Sequence, residues 1–192
     1  MVSAKIIGME PGSLRGRLLV ATPPLVDPNF DRTVVLILEH GDGGALGLVL
    51  NRPAETELVD VLPEWRVLAS APPVVFVGGP VSPDAVIALA RGREAEVDGW
   101  VHILADIGTV DLARDPLDLG APLDALRVFV GYAGWAPGQL EAELEQGAWF
   151  VARLEREDPF VNTPELLWRD VLRRQAGRLA MFANFPEDPS IN

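Results

Sequence analysis

Short apolar runs, separated by glycine and proline, dominate the first half of the chain. Branched and apolar residues follow one another without polar interruption, which is typical of strands covered on both faces. The first runs are Arg17–Ala21, Thr33–Glu39 and Ala45–Leu50. Gly41–Gly44, between the last two, is rich in glycine and favours a hairpin turn. The pattern therefore predicts a hairpin with His40 at one end and Asn51 and Arg52 at the other.

Further apolar runs predict more strands, and helical spacing of apolar residues is confined to short stretches. The other predicted strands are Pro72–Val77, Ala85–Ala90, Trp100–Leu104, Thr109–Leu112, Leu126–Tyr132 and Ala148–Leu154. The predicted helices are Glu57–Leu62, Gly138–Gln146 and a third helix that ends at about Gln175. Thr163 and Pro164 favour the start of the third helix as N-cap and first helical residue, and Gly177 favours its end.

Strands do not alternate regularly with long helices, which argues against a doubly wound parallel sheet. We predict an α/β fold of the α+β kind, a mixed and largely antiparallel sheet of about six to eight strands with two or three helices. The length of 192 residues suits a single compact domain over 1–192. Within it, residues 1–16 are expected to form a loosely held N-terminal segment.

Composition narrows the classes of protein that remain. The apolar share of 48% permits a sizeable core, and no apolar run reaches the ~18 residues of a membrane span. The start of the chain does not have the pattern of a signal peptide. The chain has no cysteine, which excludes disulfides, thiolate nucleophiles and sulfur-bound zinc. We therefore expect a cytoplasmic protein that does not bind membranes.

The net charge of −12 argues against a nucleic-acid-binding face. Lys5 is the only lysine, and the one dense group of arginines consists of Arg169, Arg173, Arg174 and Arg178. Helical spacing places the first three near one face. One interpretation is a local DNA-binding surface. The favoured interpretation is a solvated or acid-paired helix face.

No complete catalytic set is visible. The chain has two histidines, His40 and His102, and none of its serines lies in a G-x-S-x-G motif. Neither a P-loop nor a dinucleotide-binding glycine motif is present, and the carboxylates have no metal-binding spacing. We predict no metal and no cofactor, and an enzymatic activity is the less favoured interpretation.

The glycine-rich run Gly131–Glu143 is the best indicator of a shaped site. It is expected to turn from a strand into a helix, and Gln139 and Glu143 then share one helix face beside Trp135. Two further features follow strands. Gly78 and Gly79 follow one predicted strand and expose backbone amides that favour the binding of an anion. Asn51 and Arg52 follow another, and their side chains have donors for a carboxylate or phosphate.

We combine these residues in one candidate cleft for a ligand or partner. Its members are His40, Asn51, Arg52, Gly78, Gly79, Trp135, Gln139 and Glu143. Each also has an ordinary structural interpretation. The glycines make turns, the asparagine and arginine pair locally, His40 bonds to its turn, and the helix residues face solvent.

Several motifs resemble one family, and they occur in its order. They are LLVATPPLVDPNFDRTVVLILEH, GALGLVLNRP, FVGGPV, VGYAGWAPGQLEAEL followed by GAWFV, and the closing DPSIN. Together they resemble the AlgH/YqgE-like family of bacterial proteins. The resemblance implies a compact α/β fold and a link to transcriptional regulation of alginate expression. Because the chain is so acidic, regulation is expected to act through a protein partner or a small anionic ligand.

Three hypotheses follow. The first is a regulatory protein that binds a ligand or partner without catalysis and without direct DNA contact. The second is an enzyme on a small anionic or phosphorylated substrate, with Arg52 as anion clamp and His40 or Glu143 as acid–base group. The third is a DNA-binding regulator that uses Arg169–Arg178.

Overall fold

A computed structural model describes residues 12–25, 27–92, 99–116, 123–175 and 177–184. Within them, ten strands form one sheet. The strands are β1 (Arg17–Ala21), β2 (Val34–Gly41), β3 (Gly44–Val49), β4 (Pro53–Glu57), β5 (Val74–Val77), β6 (Val81–Gly92), β7 (Trp100–Leu104), β8 (Ile107–Val110), β9 (Leu123–Trp135) and β10 (Trp149–Arg153). The helices are α1 (Leu58–Val61), α2 (Gln139–Glu145), α3 (Leu167–Arg173) and α4 (Arg178–Phe182), with 3-10 helices at Pro63–Leu68, Asp158–Phe160 and Pro164–Leu166.

The sheet has the order β10-β1-β2-β3-β9-β6-β8-β7, and β4 and β5 join it through β9. Every pairing is antiparallel except β5 with β9, where Phe76 lies opposite Phe129. The long β9 pairs with β6 over most of its length and with β3 only near its end. β9 thus links the two halves of the curled sheet. The expected mixed, largely antiparallel α+β fold is confirmed, but the described residues form ten strands and four α-helices instead of six to eight strands and two or three helices.

The curl encloses a central core, and short helices cover the outer faces. Leu36 and Leu48 from β2 and β3 lie in this core with Phe129 from β9 and Trp168 from α3. Trp168 is 2% exposed, and its indole N–H donates to the carbonyl of Ala21 at 2.8 Å. Helix α2 covers one outer face of the sheet, and α1 with its neighbouring 3-10 helix covers another. Both faces of the central strands are therefore buried, as their apolar runs predict.

The predicted start of the helix near the C-terminus is confirmed, with Thr163 at the N-cap and Pro164 as the first helical residue, but the helix type and the cap differ. Thr163 makes no capping hydrogen bond with its side chain, and a 3-10 helix at Pro164–Leu166 precedes α3. Gly177, with φ of +69°, lies directly before α4, a helix that the sequence pattern did not predict. The sequence pattern also missed β4, because Pro53–Glu57 is polar and largely exposed.

The first described residues are tied to the sheet. The backbone N–H of Gly16 donates to the carbonyl of Ile37 at 2.8 Å, and Ser13 Oγ donates to the carbonyl of His40 at 3.1 Å. Residues 12–16 of the expected loose segment are thus held by β2, and residues 1–11 lie outside the described residues. No helix among the described residues is long and apolar enough to cross a membrane.

Candidate functional site

His40 lies at the end of β2, where the β2–β3 hairpin turns. Its Nδ1 accepts a hydrogen bond from the backbone N–H of Leu14 at 3.1 Å, so Nδ1 carries no proton. We therefore assign the proton to Nε2, which lies 2.8 Å from Glu141 Oε1 and donates to it. Both ring nitrogens are engaged, and the imidazole is only 9% exposed. His40 thus joins the N-terminal segment, the hairpin and α2.

Glu141 is the second member of this pair, and no sequence motif indicated it. Its carboxylate is half exposed, on the first turn of α2. Hydrogen bonds from its own backbone N–H and from His40 hold the pKa of the Glu141 carboxyl below its ordinary value. The pair borders a polar cleft of about 580 Å³, which Ser13, Asp42 and Gly138 also line.

The Glu143 carboxylate accepts hydrogen bonds from two tryptophans. Its Oε2 accepts from the indole N–H of Trp135 at 2.9 Å and from that of Trp149 at 2.8 Å. Its Oε1 accepts from Gln139 Nε2 at 2.9 Å, and Gln139 Oε1 accepts from the backbone N–H of Ala136 at 3.0 Å. Gln139 and Glu143 do share a helix face, but this face binds the protein's own indoles. We call Trp135, Gln139, Glu143 and Trp149 the indole cluster.

An aromatic side chain from a distant turn covers the indole cluster. The Phe30 ring stacks on Trp135 with centroids 6.3 Å apart and meets the edge of Trp149 at 5.5 Å. Asp27 shapes this turn, since its carboxylate accepts from the backbone N–H of Asn29 at 2.8 Å. The turn shields the edge of the core above α2.

Asn51 and Arg52 have local structural partners. Asn51 is 6% exposed, accepts from the N–H of Val34 at 2.9 Å, and donates to the carbonyl of Arg32 at 2.9 Å. Arg52 donates to the carbonyl of Asp31. Both residues follow the end of β3 that is remote from the His40 hairpin. The structure therefore separates Arg52 from His40, its proposed companion in the enzyme hypothesis.

Gly78 and Gly79 lie against the backbone of β9. The N–H of Gly78 donates to the carbonyl of Val130 at 2.8 Å, and its own carbonyl accepts from Val49 at 2.8 Å. Gly79 has φ of +152°, and a Cβ there would lie 2.2 Å from the Tyr132 carbonyl carbon. These glycines permit a close approach of backbones, and the Gly78 amide is not free for an anion.

Substitution of Gly78 by alanine is expected to lower the free energy of unfolding by about 2 kcal/mol through overpacking. The added Cβ would lie 2.4 Å from the carbonyl oxygen of Gly131, so the β9 backbone must move. Gly43→Ala is the matched control, because nothing lies within 4 Å of its Cβ position. Urea unfolding of both variants measures the difference. Equal stability of the two variants would show that β9 adapts freely.

The arginines near the C-terminus have acidic neighbours. Arg173 lies 3.2 Å from Asp170, and Arg174 contacts both Asp158 and Glu155. Asp158 is 3% exposed, so its pairing with Arg174 is largely buried. The acid-paired interpretation of this helix face therefore holds for Arg173 and Arg174, and this pairing reduces their capacity to contact phosphate.

A second cleft lies between the β2–β3 hairpin and the edge of the sheet formed by β6, β8 and β7. Its volume is about 450 Å³, and apolar side chains form most of its wall. Val86 is 53% exposed and Val101 is 60% exposed, while Trp100 packs on Gly108. Arg15, Glu39 and Asp111 supply the charged groups of the lining. We call this cleft the Trp100 groove.

The candidate residues thus divide into separate groups. His40 borders the polar cleft with Glu141, whereas Trp135, Gln139 and Glu143 form the indole cluster around the next turn of α2. The glycine pair lies against β9, and Asn51 with Arg52 holds the loop before β2. The lining of the Trp100 groove includes none of them. Its lining residues belong to several of the predicted strands, and no sequence pattern indicated that Val86 and Val101 are exposed.

These features define a class of mixed α+β proteins with a curled, largely antiparallel sheet and a few short helices. Comparison with known proteins gives the family. A family model described as AlgH-like matches residues 18–180. The chain belongs to this AlgH-like family, as the sequence motifs predicted.

Relatives extend over nearly the whole chain. A UPF0301 protein of Streptomyces coelicolor is 52% identical over 95% of this chain and 97% of its own. A crystal structure of a protein from Corynebacterium diphtheriae has a TM-score of 0.84 and 31% identity, and it covers 93% of this chain and 96% of that one. The solution structure of the AlgH protein from Pseudomonas aeruginosa has a TM-score of 0.67 and 28% identity, covering 94% and 98%.

Proposed function

We propose that this protein is a cytoplasmic regulatory protein that binds a protein partner, without catalysis and without direct contact with DNA. The Trp100 groove carries this proposal. Exposed valines and a tryptophan form its wall, and a few charged groups lie beside them, which matches an apolar interface centre with a polar rim. Large exposed apolar patches on a soluble domain mark interaction sites.

The polar residues that could act in catalysis already have hydrogen-bond partners within the fold, which supports the same proposal. His40 uses both ring nitrogens within the fold, and Glu143 accepts from two indoles and an amide. A general base needs a free lone pair directed at its substrate. No group of three or more acidic or histidine side chains suited to a metal ion occurs in the described part of the chain.

The charge of the chain supports a protein partner over a nucleic acid. The net charge is −12, and Arg173 and Arg174 already pair with carboxylates. A phosphate backbone would be repelled by most of the surface. Charged groups at the rim of the groove set the orientation of a partner, while the apolar wall supplies most of the affinity.

Substitution of Val101 by glutamate is expected to weaken partner binding at least about tenfold, since a charge is placed in the apolar wall. The measurement is capture of the partner from extracts of the host, together with rescue of a deletion strain. Val67→Glu is the matched control, because Val67 is 79% exposed on the 3-10 helix after α1. If Val101→Glu binds and rescues as well as Val67→Glu does, the groove is not the interface.

A further inference from the structure

Three arginines converge on one small pocket of this acidic protein. Arg15, Arg17 and Arg153 line a recess of about 280 Å³, together with Gly16 and Leu104. We propose that this recess binds a small phosphorylated anion. The proposal goes beyond the proposed function: Arg15 lines both cavities, whereas Arg17 and Arg153, on which the test depends, do not line the Trp100 groove.

The strand register places two of the positive charges face to face. β1 and β10 are antiparallel, and Arg17 lies directly opposite Arg153 in their register. Side chains in such a pair have Cβ atoms about 5 Å apart, and like charges there destabilise the sheet. Neighbouring pairs of the same two strands are neutral, as Leu19 opposite Val151 shows. An anion between the two guanidinium groups would turn this repulsion into attraction.

No carboxylate in the described part of the chain neutralises this pair. Among the described residues, neither Arg17 nor Arg153 forms an ion pair. Acids close by in the sequence are already engaged. Asp106, just beyond Leu104, binds Arg156 at 2.7 Å, and Glu155, just beyond Arg153, lies 3.3 Å from Arg174.

Arg15 brings the third positive charge from a fixed position. Its guanidinium donates to the carbonyl of His102, which holds the side chain against β7. Its Nε is buried and has no hydrogen-bond partner within the described residues, so the fold does not use all of its donors. Gly16, which is buried with φ of +74°, lets the chain turn from Arg15 into β1.

The arginine side chains and the size of the recess indicate which class of ligand it binds. Guanidinium groups present planar pairs of N–H donors that match the oxygens of a phosphate. A recess of about 280 Å³ lies below the usual range for drug-sized ligands, so it suits a phosphate group or the phosphorylated end of a small metabolite.

The test is a titration of the full-length chain with inorganic phosphate, followed by ¹⁵N NMR at constant ionic strength. We expect saturable shifts of the backbone amides of Gly16 and Leu104. Arg17→Gln and Arg153→Gln each remove one charge-assisted contact and are expected to weaken binding about tenfold. Both side chains are exposed, so the variants are expected to fold, and their spectra without phosphate check this.

Arg66→Gln is the matched control, because it removes the same charge from an exposed arginine elsewhere. It is expected to leave the phosphate titration unchanged. Shifts that do not saturate, or an equal loss in Arg66→Gln, would overturn the proposal, since the effect would then be general screening. A parallel titration with acetate distinguishes a phosphate site from a carboxylate site. Binding of acetate as tight as that of phosphate would also overturn it and assign the recess to carboxylates.

Discussion

Substitution of Arg127 by alanine is expected to lower the free energy of unfolding by about 4 kcal/mol, through the loss of a buried hydrogen-bond network. Arg127 lies within β9 and is 2% exposed. Its guanidinium donates to the carbonyl oxygens of Ala71 at 2.7 Å, Pro159 at 3.0 Å and Val161 at 2.9 Å. Removal of the side chain leaves these acceptors without their donor and opens a cavity in the core.

No carboxylate among the described residues pairs with the charge of Arg127. Burial lowers the pKa of Arg127 to about 10, so the side chain remains protonated at neutral pH. The carbonyl oxygens accept from it, and the Phe76 ring lies 4.2 Å from the guanidinium carbon. Arg127 thereby ties β9 to the chain segments before β5 and beside the 3-10 helix at Asp158–Phe160.

A lysine variant separates the hydrogen-bond network of Arg127 from its charge, and a variant of an exposed arginine is the control. Arg127→Lys keeps the charge but not the fork of donors, and we expect it to restore less than half of the lost stability. Arg66→Ala, at an exposed arginine, is expected to change stability by less than about 0.5 kcal/mol. Urea unfolding measures all of them. A loss below about 1 kcal/mol in a well-folded Arg127→Ala protein would mean that water replaces the guanidinium.

Local pattern was sufficient to predict most of the sheet. Arg17–Ala21 is a strand with the expected bounds, because its continuous apolar sequence favours burial on both faces. Trp100–Leu104 also has the expected bounds, although it is an edge strand that stays partly exposed. The glycine-rich run behaved differently. β9 continues to Trp135 instead of turning after Tyr132, since β3 pairs with its last residues. That pairing joins distant segments and has no local signal.

The same limit applies to the sites. His40 and Glu141 are 101 residues apart in the chain, and their contact depends on how α2 packs on the hairpin. The arginine recess depends on the register of β1 with β10, which places Arg17 opposite Arg153. The residue types indicated which side chains are capable of binding a ligand or of acid–base chemistry. Only the strand register and the packing of the helices showed which of them meet and which already have hydrogen-bond partners.

Substitution of Glu143 by leucine is expected to lower the free energy of unfolding by about 3 kcal/mol, because buried donors lose a charged acceptor. The indole N–H groups of Trp135 and Trp149 both point to this carboxylate, and Gln139 donates to it as well. Glu143→Gln retains one acceptor oxygen and is expected to lose about half as much. Urea unfolding, followed by tryptophan fluorescence, measures these changes.

Glu145→Leu is the matched control, since Glu145 is an exposed acid of the same helix. It is expected to change stability by less than about 0.5 kcal/mol. In Glu143→Leu the indole N–H resonances of Trp135 and Trp149 should move, and in the control they should not. Equal stability of the two variants would contradict the structural role of the indole cluster. A stable Glu143→Gln protein that fails to bind its partner would instead place this cluster within the binding surface, as the sequence predicts.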